Sequence, residues 1–105
     1  MVVNNNAFLC GTKWRNKREK ILKRDNYQCQ LSKRYGKNVP AQMVHHIFPR
    51  SEFPQYALSD WNLISLSYGV HEHLHNKDGS LNDEGIKLAI RTARKNKIPI
   101  PEEFL

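Results

Sequence analysis

Apolar positions recur along this chain with two different periods, and the changes between them mark out its elements. From residue 13 to about residue 25, Trp14, Arg18, Ile21 and Leu22 fall on one side of a 3.6-residue helix, while Arg15, Lys17, Lys20, Lys23 and Arg24 cover much of the rest. Thr12 stands where a helix cap would. Asn26 and the turn-prone Lys33-Arg34-Tyr35-Gly36-Lys37-Asn38 stretch break the pattern. Residues 41–47 alternate loosely, as a strand does. So do residues 63–66, where Leu63 and Ser65 point one way and Ile64 and Leu66 the other. Between them, residues 49–60 read as a loop with a short helical turn at 55–58. Residues 68–75 return to helical spacing until Lys77-Asp78-Gly79-Ser80 ends it. The last helix is the best signalled: Asn82 as N-cap, Asp83 and Glu84 in the first turn, and Arg94, Lys95 and Lys97 in the last. Ile86, Ala89, Ile90 and Ala93 form its apolar stripe, and Pro99 and Pro101 forbid continuation. The class this order predicts is α+β.

Residues 1–11 are polar, carry Asn4-Asn5-Asn6 and show no period, so a flexible N-terminal tail is expected there. Residues 12–105 then form one domain by length, with a small core. Seventeen Lys and Arg against ten Asp and Glu give a formal charge of +7 and a pI near 9.7. Such a surface is drawn to polyanions, nucleic acid first. No stretch approaches the ~20 apolar residues of a membrane span, and residues 1–10 lack the features of a signal peptide. The expectation is a cytoplasmic chain with no membrane partner. Cys10 and Cys29 form no recognisable metal set and are expected to be reduced.

All five histidines fall between His45 and His75. Imidazole is the commonest protein metal ligand and the usual general base near neutral pH. On a helix His71 and His75 share a face, close enough to bind one ion, and His73 points away. On a strand the neighbours His45 and His46 project to opposite sides. One of that pair can join the helix histidines around a metal, and the other stays free for proton transfer. Geometry does not say which does which.

The residues that carry a family likeness are His45-His46-Ile47-Phe48-Pro49, then Asn62-Leu63-Ile64-Ser65-Leu66, then His71 nine positions after the Asn. This series resembles the HNH endonucleases. Upstream, Trp14-Arg15, Leu22-Lys23-Arg24-Asp25 and Tyr27-Gln28-Cys29-Gln30 resemble the segment that precedes the motif in small phage-type members. The likeness covers roughly residues 12–97, with the motif core at 43–75. It implies a ββα-metal finger with flanking N- and C-terminal helices.

The resemblance implies roles position by position. His45, in a slot often filled by Asp, and His71 would bind one divalent metal ion, with His75 as an extra helix ligand of the colicin-DNase kind. His46 would be the general base, and Asn62 would hold the loop and orient the His46 ring. The reaction would be hydrolysis of DNA phosphodiester bonds, nicking or cutting, with 5′-phosphate and 3′-hydroxyl products. Oxygen-rich surroundings suit Mg²⁺ or Mn²⁺, whereas three imidazoles favour Ni²⁺, Co²⁺ or Zn²⁺. Many family members also hold a structural zinc with two Cys-x-x-Cys pairs. Here those positions read Cys29, Ser32, Ser67 and Val70, so no structural zinc is expected, and Cys29, Leu31 and Val70 are expected to pack the gap. Arg15, Arg18 and Arg24 on the first helix, Arg50 beside the active strand, and Arg91 and Arg94 on the last helix are candidate phosphate contacts. The phage members imply DNA-packaging proteins as neighbours. Two other readings stand beside this one: a non-catalytic metal and nucleic-acid binding module, and a nuclease acting mainly on RNA.

Overall fold

The structure, a computed structural model, describes Phe8 and residues 11–105. The tail expected at residues 1–11 and the reading of Cys10 therefore fall almost wholly outside the described residues. Helix α1 (Thr12–Arg24) is followed by a short helix α2 (Gln30–Arg34), strand β1 (Met43–His46), strand β2 (Leu63–Leu66), helix α3 (Tyr68–Glu72) and helix α4 (Asp83–Asn96). Single 3₁₀ turns lie at Pro54–Tyr56, Asp60–Asn62 and Glu102–Phe104. Gly11, not Thr12, is the N-cap of α1; Thr12 already has its backbone inside the helix. No helix among the described residues is long and apolar enough to cross a membrane.

The two strands pair antiparallel, with His45 opposite Ile64 and His46 opposite Leu63. Directly opposed residues share a face, so the sheet divides the molecule. Val44, His46, Leu63 and Ser65 look toward α1, where Trp14, Ile21, Leu22, Val44 and Leu63 form one buried cluster. Met43, His45, Ile64 and Leu66 look the other way, where Ile64, Leu66, Leu74, Leu88, Ala89 and Ala93 join Cys29, Ile47 and Phe48 in a second, larger cluster. A sheet buried on both faces explains why all four residues of β2 are buried.

The free edge of β2 has outward backbone groups at Leu63 and Ser65, which a lone two-stranded sheet would leave unpaired. An ion pair closes it. Asp25, buried at the end of α1, accepts from the Ser65 N–H at 3.0 Å, and Arg24 donates to the Leu63 carbonyl at 2.7 Å. The Arg24 guanidinium also bonds both Asp25 carboxylate oxygens and the Asp60 carbonyl. Of the candidate phosphate contacts, Arg24 is thus committed to holding helix to sheet.

Three other elements differ from expectation, two in their bounds and one in the face it buries. Lys33 and Arg34 end a helical turn, α2, that five residues without a period could not announce. Helix α3 stops at Glu72 instead of reaching His75, because the chain after it pairs elsewhere. Asn82 donates from its side chain to the His73 carbonyl and from its backbone to the Leu74 carbonyl, and His75 bridges Leu81. In α4 the buried face is Gly85, Leu88, Ala89 and Ala93, with Ile86 and Ile90 only half-buried. Gly85 sets that rotation: a Cβ there would lie 2.5 Å from the Leu74 carbonyl oxygen, so only glycine lets α4 approach the turn that carries His75.

Candidate active site

Three imidazoles converge between β1 and α3. The ring centroids of His45 lie 5.1 Å from His71 and 5.3 Å from His75, and those two stand 4.3 Å apart. One ring nitrogen from each falls within 4.8 Å of the others. Neighbouring ligands of one tetrahedral ion with bonds of about 2.1 Å stand about 3.4 Å apart, so each ring would close on an ion by moving about an ångström or less. The donor chemistry fits as well. His45 Nε2 is buried with no hydrogen-bond partner, a cost that a lone pair directed at a cation removes. His75 Nδ1 lies 2.9 Å from the His71 carbonyl oxygen, which can only accept; the proton is therefore on Nδ1, and Nε2 keeps its lone pair.

Electrostatics keep His45 and His71 neutral. Burial, then the neighbouring charges of His71, His75 and His46, hold His45 well below the ordinary imidazole pKa. Burial and the proximity of His75 bring His71 down to about 4. Neutral imidazoles at physiological pH are what a metal ligand set requires.

His46 points to the opposite face of β1 and meets different neighbours. Its ring stacks on Trp14 with centroids 4.8 Å apart and 24° between planes, and Phe8 leans on both. Its Nε2 lies 3.0 Å from the carbonyl of Ala57. A carbonyl accepts, so Nε2 carries the proton and Nδ1 holds the lone pair. Burial lowers the His46 pKa; the Ala57 hydrogen bond works against this, and the Arg50 charge adds to it. His45, His46, His71 and His75 nevertheless line one cavity of about 350 Å³, together with Arg50 and Ser51.

Asn62 spends its side-chain hydrogen bonds on the loop after β1, and none of them goes to the His46 ring itself. Its side chain is fully buried and spans the loop after β1, accepting from the Phe48 N–H at 2.7 Å and donating to the carbonyls of Phe48 and Tyr56. It thereby fixes the segment whose next residue, Ala57, holds the ring. Trp14 and the Ala57 carbonyl are the neighbours that sequence reasoning missed. Trp14 was readable only as a core residue, since what it stacks on lies 32 positions away.

The candidate phosphate contacts separate into groups. Arg50 lies at the mouth of the histidine cavity, with its guanidinium 4.6 Å from the Phe8 ring centre. Arg15 is exposed on α1, and Arg18 donates to the Gln42 carbonyl. Arg91 and Arg94 are exposed on α4. His73 is exposed. The four positions that carry zinc ligands in other members also meet. Cys29 is a buried free thiol whose sulfur accepts from the Ser32 hydroxyl at 3.2 Å, and Val70 and Leu31 pack against its cluster. Burial works to raise the Cys29 thiol, but hydrogen bonds from Ser32 and Ser67 outweigh it and leave the pKa below its ordinary value.

Two antiparallel strands and a helix that gather imidazoles around one point define a nuclease finger of the ββα-metal type. No family profile and no curated protein sequence matches the chain. Among solved structures it is similar to the HNH endonuclease of the deep-sea thermophilic bacteriophage GVE2, solved with a manganese ion. The two are 32% identical, the match covers 65% of this chain and 74% of that one, and the TM-score is 0.63. The chain belongs to the HNH endonuclease family, and it is a nuclease with a histidine cluster able to hold a metal.

Proposed function

We propose that the chain hydrolyses DNA phosphodiester bonds, with His46 as general base and His45, His71 and His75 as the ligands of one divalent ion. The observation that carries this reading is the split of neighbouring histidines into two environments that open on one cavity. A divalent ion held by the three imidazoles supplies charge to offset the phosphate oxygens as they become more negative. Everything else falls to the chain. Ala57 and Trp14 hold the His46 ring so that Nδ1 takes a proton from water attacking the phosphorus. Asn62 keeps the Ala57 carbonyl in place, and Arg50 offers a guanidinium to a phosphate at the cavity mouth. Arg15 and Arg18 extend the positive surface along α1. In-line attack leaves a 5′-phosphate and a 3′-hydroxyl.

The manganese in the solved relative supports Mn²⁺ or Mg²⁺ as the working ion. The imidazole-rich donor set makes Ni²⁺, Co²⁺ and Zn²⁺ the ions to compare. The test is cleavage of supercoiled plasmid with each ion in turn beside an EDTA control, with the ends of the products analysed. Metal-dependent nicking with ligatable ends supports the proposal; intact plasmid with every ion contradicts it.

A further inference from the structure

A second concave feature lies over the free edge of β2, a groove of about 510 Å³ between the end of α1, α2 and α4. It shares no lining residue with the histidine cavity. Besides Arg24, which is tied to Asp25 and the edge of β2, four exposed cations line it: Lys33 and Arg34 from α2, Arg91 and Lys95 from α4. None of the four forms an ion pair or side-chain hydrogen bond among the described residues, and the one acid in the groove, Asp25, is already engaged by Arg24 and Ser65. Burial and the nearby charge of Arg91 lower the pKa of Arg34, with Tyr35 working against them, so the fold holds like charges close together here. Such a cluster calls for a polyanion.

We propose that this groove binds phosphates of the nucleic-acid substrate that lie away from the bond being cut. The inference rests on the nuclease reading. Its position favours the substrate's own flank over an unrelated partner. Leu63 lines the groove and is the register partner of His46, so a single strand, β2, stands between the groove and the strand that carries the histidines.

The test measures binding by the full chain in EDTA, so that nothing is cut, to duplexes of about 30 and about 8 base pairs over a range of salt. The shorter duplex spans about 27 Å, less than the 43 Å longest extent of the molecule. Lys33→Ala with Arg34→Ala is one variant, and Arg91→Ala with Lys95→Ala on the other wall covers the case that the first pair disturbs α2. The expected result is a loss of about tenfold or more in affinity for the long duplex and a salt dependence shallower by about two, with a much smaller loss on the short one. Equal losses on both lengths, or no loss, would overturn the proposal. Displacement of the long duplex by polyglutamate as readily as by heparin would also overturn it, in favour of an acidic protein partner. Failure of the nuclease reading is separable: if the wild type cuts DNA with none of the metals while both variants still lose the length-dependent binding, the groove stands and DNA cleavage falls.

Discussion

His45 and His46 are adjacent in sequence and could hardly be more different in surroundings. His45 turns into the larger core, where two further imidazoles and a nitrogen without a partner wait on one side of the sheet. His46 turns toward α1, where a stacked indole and a backbone carbonyl hold its ring. One peptide unit therefore separates the proposed ligand from the proposed base. The alternation of a β-strand places two incompatible environments within one residue of each other, because successive side chains must leave opposite faces. A helix would have needed residues from different turns to do the same.

The comparison breaks most sharply on the His45 side. Removing the proposed buried ligand by His45→Ala should cost at least about a hundredfold in metal affinity, measured by titration calorimetry, since even groups that only orient ligands cost 10–100-fold. An affinity unchanged by His45→Ala would mean that the ion sits elsewhere. Next comes the shared support. Asn62→Ala leaves the Phe48 N–H and two carbonyls without their buried partner, and about 3 kcal/mol of stability should be lost. Urea unfolding reads this directly, and cleavage should fall with it because the Ala57 carbonyl loses its anchor. On the His46 side, Trp14→Ala should cost about 3 kcal/mol, as large-to-small core changes do. Trp14→Phe keeps an aromatic ring against His46 and should restore most of the stability and of kcat. Equal activity in the two variants would sever the indole from the base.

The smallest effect sharpens the comparison through pH. The folded pKa of His45 lies well below 6.5, and that of His71 is about 4. The unfolded chain therefore binds protons first as pH falls below about 6.5. The stability these neutral rings contribute is present above that pH and is lost as pH falls toward 4. The urea midpoint of the metal-free protein should drop between pH 7.5 and pH 5. A flat profile would mean that the rings are more hydrated than their burial implies.

Much of this was legible because local rules and tertiary packing agreed. Strand β2 spans Leu63–Leu66 as its alternation predicts, and Asn82 caps α4 by accepting from the Gly85 N–H. The opposite facing of His45 and His46 follows from strand geometry alone. What escaped the sequence depends on distant partners. The stop of α3 at Glu72 is imposed by Asn82 and Leu81, which take up the carbonyls and backbone of residues 73–75. The rotation of α4 onto Leu88 follows from the contact that only Gly85 permits. Arg24 looked like part of a basic face because nothing near it in sequence announces the strand edge at Leu63 that it closes. The indole over His46 belongs to the same class: Trp14 has the period of a core residue, and its second role appears only when β1 is laid beneath it.

The most direct test of the division between neighbouring histidines is Mn²⁺ affinity and plasmid cleavage measured together on His46→Ala. The account predicts an affinity within about twofold of the wild type while cleavage falls by at least about a hundredfold, the lower end of what a positioned base contributes. Metal affinity that collapses along with cleavage would contradict it, placing His46 among the ligands and leaving the base to be found elsewhere.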